Sequence, residues 1–185
     1  MRVFLDRLYL LSGALGALFL VAILLVVLAQ VGANLLDTLV HAATGAYQGF
    51  VIPSYANFAG FFLVGATFLA LAHTFREGGH IRVGLVLQVL PAPLKRAADA
   101  VILAVALALT GYMAWYSWAL VYDSWDFGDA STGLVSVPLF IPQSAMALGA
   151  TMFCVALADS LIGTLMGRED KATRLTGAAD VVEEA

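Results

Sequence analysis

A single cysteine, Cys154, stands among 185 residues. No intrachain disulfide can form, and there is no Cys-x-x-Cys pair to bind metal or run redox chemistry. Cys154 lies inside an apolar run and reads as a buried structural thiol. Charge is scarce as well: Asp, Glu, Lys and Arg make up 12% of the chain, where soluble domains carry about 25%. The three histidines, His41, His73 and His80, have no metal-ligand spacing. No His-Glu-x-x-His, glycine-rich phosphate loop or Ser/His/Asp grouping occurs. These absences argue against an enzyme and leave no residue set for a cofactor, a metal or nucleic acid.

What fills the chain is hydrocarbon. Hydrophobic residues make up 62% of it and the mean hydropathy is +0.92. Four apolar runs reach the roughly 20 residues that a helix needs to cross a bilayer: 8–29, 55–75, 97–121 and 142–166. The expected fold is an all-α integral membrane protein, a four-helix transmembrane domain over 1–167 with a polar tail at 168–185. Arg2 and Arg7 precede the first run as in a signal peptide, but that run exceeds the roughly 7–15 residues of a signal h-region. It reads as an uncleaved spanning anchor.

Basic residues set the orientation. Arg2, Arg7, Arg76, Arg82, Lys95, Arg96, Arg168, Lys171 and Arg174 all lie in the N-terminus, the second connection or the tail. The positive-inside rule then puts both termini in the cytoplasm. Within the second connection, the ten apolar residues from Ile81 to Leu90 are about half a bilayer long as a helix. Flanked by Gly78-Gly79, Pro91 and basic residues, 80–91 suits a short amphipathic helix lying in the interface. The opposite face carries Asp37, Asp123, Asp126 and Asp129 and no cation. It would repel acidic ligands and attract a basic patch, or these are simply solvated loops.

Along the chain, Gly13, Gly16 and Ala17 form a small-residue face for close helix approach. The connection from Gln30 to Ser54 is expected outside the spans, with a separate surface helix between Ala33 and Ala43. Asn57 should face another helix, since lipid offers it no partner. Gly60 and Gly149 belong to further small-residue pairs with Ala56 and Ala145. The third span ends in Tyr112, Trp115, Tyr116, Trp118, Tyr122 and Trp125, an aromatic belt at the outer boundary or, alternatively, a substrate cage. The aspartates of the third connection lack the spacing of an EF-hand. Asp159, roughly 10 Å from the end of its span, is a proton or ion site, the partner of a buried cation, or a snorkelling carboxylate.

Two other classes fit these features less well. A membrane-anchor subunit of a redox complex, of the cytochrome b kind, needs two axial histidines at matching depth, and only His73 lies in a span. A stand-alone small membrane protein acting as a transporter would show repeated halves with interrupted helices, which are missing.

The second connection also carries a pattern: Arg76, then Gly79-His80-Ile81-Arg82-Val83, a leucine-rich run, Leu90-Pro91 and Lys95-Arg96. It resembles the small membrane subunit, the DctQ-like or Q subunit, of tripartite ATP-independent periplasmic (TRAP) transporters. The likeness extends to Ile52-Pro53-Ser54-Tyr55, to Ala66-Thr67-Phe68-Leu69-Ala70, and to Ile141-Pro142-Gln143 with Gly149. Many relatives carry acidic residues where this chain has Gly84 and Asn57, so no role of those carboxylates transfers.

The resemblance implies a non-catalytic subunit of a bacterial inner membrane. It would bind the large membrane subunit, which holds the sodium and substrate sites, while a periplasmic substrate-binding protein delivers an organic acid. On that reading Arg76, His80, Arg82, Lys95 and Arg96 anchor the connecting helix to lipid headgroups. Gly13, Ala17, Asn57, Gly60, Gly149 and Asp159 serve helix or subunit packing. Asp123, Trp125, Asp126 and Asp129 form a periplasmic face that the binding protein could touch.

Overall fold

Forty-three residues, Arg2–Thr44, form one unbroken helix, α1. The computed structural model describes residues 2–78 and 91–167; the interfacial segment and the polar tail lie outside them. The expected break after Ala29, with a second short helix at 33–43, is replaced by continuous helix. The sequence supplies the reason: no proline interrupts this stretch, and Gln30, Asn34, Asp37 and His41 recur at steps of four, three and four, which is one face of a helix. Gln30 Nε2 donates to Asn34 Oδ1 at 2.8 Å along that face. Gly45, at φ 74°, ends α1 with its N–H on the His41 carbonyl at 2.7 Å, the left-handed stop that glycine adopts without a Cβ penalty.

The other helices are α2, Tyr55–Arg76, α3, Ala92–Asp126, and α4, Phe140–Leu165. Pro91 and Pro93 sit at the start of α3, where a missing N–H costs little, and Gly128 follows its end at φ 68°. All four are long and apolar enough to cross a membrane. The only strand-like pairing among the described residues is an isolated antiparallel bridge, Ala130 to Pro138, in the connection between α3 and α4.

The packing order differs from a closed bundle. The main chain of α1 lies along α2, α2 along α4, and α4 along α3, while α1 and α4 meet only briefly. Among the described residues the main chain of α3 approaches neither α1 nor α2. The result is an open row, α1–α2–α4–α3, with α2 and α4 parallel in the middle. Membrane helices gain little by burying apolar surface against one another, so close contact and hydrogen bonds hold them. Small residues provide the contact. A Cβ added at Gly149 would lie 2.5 Å from the Phe68 carbonyl oxygen and 2.8 Å from the Leu69 nitrogen, so α4 rests on the bare backbone of α2. Gly16 meets the Ala66 carbonyl oxygen in the same way, at 3.0 Å from such a Cβ, and the buried Ser12 hydroxyl donates to the Leu69 carbonyl at 2.5 Å.

On α3 the buried positions are Leu103, Thr110, Ser117 and Ser124, with Ala114 between them. Seven-residue steps of this kind keep one seam against a neighbour in left-handed packing. The Trp118 indole N–H donates to Thr151 Oγ1 across the same junction at 3.0 Å. The apolar core gathers toward the end of the row where α1 starts, around Tyr9, Ala72, Phe75, Leu103, Ala156 and Leu157.

Candidate functional site

At that end of the row the starts of α1 and α3 meet the ends of α2 and α4. Arg76, the last residue of α2, places Nη1 3.0 Å from Asp159 Oδ2 on α4 and Nη2 3.2 Å from Asp6 Oδ1 on α1. Its guanidinium carbon lies 5.5 Å from the centroid of the buried Tyr9 ring, within cation–π range. The Arg76 side chain is 12% exposed, Asp159 25% and Asp6 60%. One cation therefore ties three helices together, inside a stretch of chain where a lone charge would be costly. Asp159 takes the second of its three sequence readings, partner of a cation. Its partner lies 83 residues away, and only the parallel pairing of α2 with α4 brings the two level.

Arg96 sits in the first turns of α3. Its Nε donates to the Thr164 carbonyl at 2.8 Å and its Nη2 to the Leu165 carbonyl at 3.1 Å. Both carbonyls lie at the negative pole of the α4 dipole, beyond the reach of its regular helical bonds, and the Thr164 carbonyl also takes the Gly167 N–H at 3.2 Å. Lys95 is half-buried. His80 and Arg82 lie outside the described residues. Arg76 and Arg96 donate to protein oxygens.

The packing residues separate. Gly13 faces α2, where a Cβ would lie 2.7 Å from the His73 ring; His73 is thus the side chain that fills the gap Gly13 leaves. Ala17 is exposed. Gly60 is exposed with nothing within 4 Å of a built Cβ, and Gly149 is buried on α2. Asn57 lies beside Gly133 in the connection before α4, its Nδ2 2.5 Å from where a Gly133 Cβ would be.

At the far end that connection is tightly tied. Ser131 N–H donates to the Val137 carbonyl and Leu139 N–H to the Asp129 carbonyl, both at 2.9 Å. Ser54, in the left-handed region at φ 57° before α2, accepts the Val135 N–H on its hydroxyl at 2.9 Å. Ser124 donates to Asp129 Oδ2 at 3.3 Å, and Trp125 sets its ring edge-on to Phe140 at 4.7 Å. Asp123, Trp125, Asp126 and Asp129 are all exposed. So are two residues that the sequence reading passed over, Phe127 at 78% and Leu134 at 89%. The aspartates and these two apolar residues lie in the last turn of α3 and the connection that follows it. Asp6 and Tyr9 drew no role from the sequence, and Ser54 entered it only as part of Ile52-Pro53-Ser54-Tyr55.

Four membrane-length helices in a row, tied at one end by ion pairs and a helix cap, are the architecture of a multi-pass membrane protein built from side-by-side contacts. The family model for the tripartite ATP-independent periplasmic transporters, DctQ component, matches residues 49–167, more than half of the 185 residues, and the chain belongs to that family. A comparison with curated proteins gave no match. The family is a transporter component, so the chain is assigned to transport.

Proposed function

We infer that this chain is the small, non-catalytic membrane subunit of a TRAP transporter. It binds and stabilises the large membrane subunit during sodium-coupled uptake of an organic acid, which a periplasmic binding protein delivers. The observation that carries this reading is family membership in combination with the open row. Four helices side by side give a wide, shallow frame whose two faces are free for a partner, whereas a closed bundle would turn half of that surface inward. A frame of this kind resists tilting while a neighbouring carrier domain moves. Arg76 and Arg96 brace its inner end.

In this reading both termini lie in the cytoplasm of a bacterial inner membrane. Arg82 and Lys95 hold the connecting segment at the headgroups, each contributing on the order of 1 kcal/mol, and His80 caps or orients it. The far end, with Asp123, Trp125, Asp126 and Asp129, faces the periplasm and the arriving binding protein. The test is reconstitution. Vesicles that hold the large subunit, a sodium gradient and loaded binding protein are expected to accumulate solute only when this chain is present, and vesicles with this chain alone to accumulate none. Uptake by this chain alone, or undiminished uptake without it, would sink the reading.

A further inference from the structure

The two edge helices carry their charged boundaries at different heights. On α1 the stretch 8–36, between Arg7 and Asp37, holds no charged residue, and on α3 neither does 100–122, between Asp99 and Asp123. As helix these stretches are roughly 43 and 35 Å long, both more than a hydrocarbon core of about 30 Å. Contacts along the row show how far they are staggered. Trp125 on α3 is level with Phe140 on α4, Gly149 on α4 with Phe68 on α2, and Phe62 on α2 with Phe19 on α1. Through these contacts Asp123 comes level with about Leu20 of α1, and Asp37 stands 17 residues further on, roughly 25 Å. The step at the other end has the same direction. Arg76 is level with Asp6 on α1 and Asp159 on α4, whereas Arg96 of α3 holds the Thr164 and Leu165 carbonyls, five and six residues past Asp159, roughly 8–9 Å.

Aromatic residues, which collect at the membrane–water boundary, mark the same two heights. Around Asp123 on α3, Trp115, Tyr122 and Trp125 are 75, 68 and 66% exposed. On α1 no Phe, Trp or Tyr follows Phe19; the next ones, Tyr47 and Phe50, lie in the returning chain at the level of Asp37 and His41. Tyr47 stacks on the His41 ring at 3.8 Å, and Asp37 Oδ1 accepts the Gln48 and Gly49 N–H groups at 2.7 and 3.0 Å.

An upright row cannot serve both edges. A core set level with α3 would leave Val31, Leu35 and Leu36 of α1, exposed by 57, 59 and 59%, standing in water. A core raised to take them in would immerse the exposed Asp123 and Asp126, and charge in hydrocarbon is costly. We propose that the whole row leans by roughly 35° within its own plane, which brings residue 22 of α1 and residue 111 of α3 to the middle of one flat bilayer. Two estimates agree on the angle. The mean of the two steps, about 17 Å, across three helix spacings of about 8–10 Å gives a slope near 30°. The charge-free lengths fit a core of about 30 Å when inclined by about 30° for α3 and 45° for α1. Tilting is the usual response of a span too long for its bilayer, up to about 40°. Acyl chains then cover α1 well beyond Gln30. The lean is a property of this chain alone and requires no partner.

The test places the full chain in lipid vesicles, in a Cys154→Ser background, with one spin label at Leu20→Cys, Leu35→Cys or Tyr122→Cys. Leu20 and Tyr122 are both exposed, at 56 and 68%, and level along the helix axes, so an upright row gives them equal depth. With the lean, collisions with a water-soluble nickel chelate are expected to be at least tenfold rarer at Leu20 than at Tyr122, and Leu35 to be shielded from the chelate in favour of oxygen. Equal collision rates at Leu20 and Tyr122 overturn the proposal, as does a Leu35 label that meets the chelate freely. Polarised infrared dichroism of the unsubstituted chain in oriented bilayers is an independent check: a mean helix tilt of about 30–45° is expected, and one below about 20° overturns the lean.

Discussion

Arg76 faces two carboxylates whose surroundings differ, and that difference ranks their importance. Asp159 is 25% exposed and Asp6 60%. Removing one member of a buried pair strands the other in a medium that solvates it poorly, at a cost of about 3–5 kcal/mol. Exposed pairs contribute roughly 0–1 kcal/mol. Partial exposure puts Arg76–Asp159 near the lower end of the first range. Arg76→Ala and Asp159→Ala should each cost about 3 kcal/mol, Asp6→Ala under about 1 kcal/mol, and the double variant at 76 and 159 much less than the sum of its singles. Unfolding in mixed micelles would read all four. Equal losses from Asp6→Ala and Asp159→Ala would overturn the ranking. The pairing itself was not legible in the sequence: Asp159 stood out as an intramembrane acid, but Arg76 looked like one of several loop cations, and nothing local joins two residues on different helices.

At the scale of elements, the apolar runs gave away the four helices because a stretch of uncharged, mostly aliphatic residues has few other stable forms in a bilayer. The true extent of α1 was hidden by composition. Gln30, Asn34, Asp37 and His41 look like loop residues, yet their spacing is helical: Gln30, Asp37 and His41 meet the returning chain, and Asn34 accepts from Gln30 along the helix. Contact faces were legible only in part. Gly60 and Gly149 each sit in a pair of small residues four apart, and what separates them is a neighbour that no sequence pattern names. Gly149→Ala should force α4 off the Phe68 carbonyl and cost about 1–3 kcal/mol, the range for overpacking a close contact. Gly60→Ala has open space and gains helix propensity of up to about 1 kcal/mol. The same unfolding measurement compares them, and a neutral Gly149→Ala would mean that α2 and α4 do not touch there.

The whole molecule is a question of arrangement, because the same four helices could close into a bundle or lie open in a row. Closure would bury more of α1 and α3, but lipid wets apolar side chains about as well as protein does, so no hydrophobic gain drives it. What decides is where the close contacts and polar ties fall. Here they join neighbours in the order α1, α2, α4, α3: Phe19 with Phe62 at 5.7 Å between ring centroids, Phe75 with Phe153 at 5.7 Å, and Trp118 with Thr151 at 3.0 Å. Leu20 on α1 and Leu109 on α3 are 56% and 67% exposed, with no facing helix among the described residues. Paired cysteine substitutions in a Cys154→Ser background therefore distinguish the two arrangements. Phe19→Cys with Phe62→Cys, Phe75→Cys with Phe153→Cys and Trp118→Cys with Thr151→Cys should each be joined within one chain by a short bifunctional maleimide, since the native side chains meet at their tips. Leu20→Cys with Leu109→Cys should not. If the last pair closes within one chain as fast as the others, the helices form a ring, and the broad frame on which the scaffold reading depends does not exist.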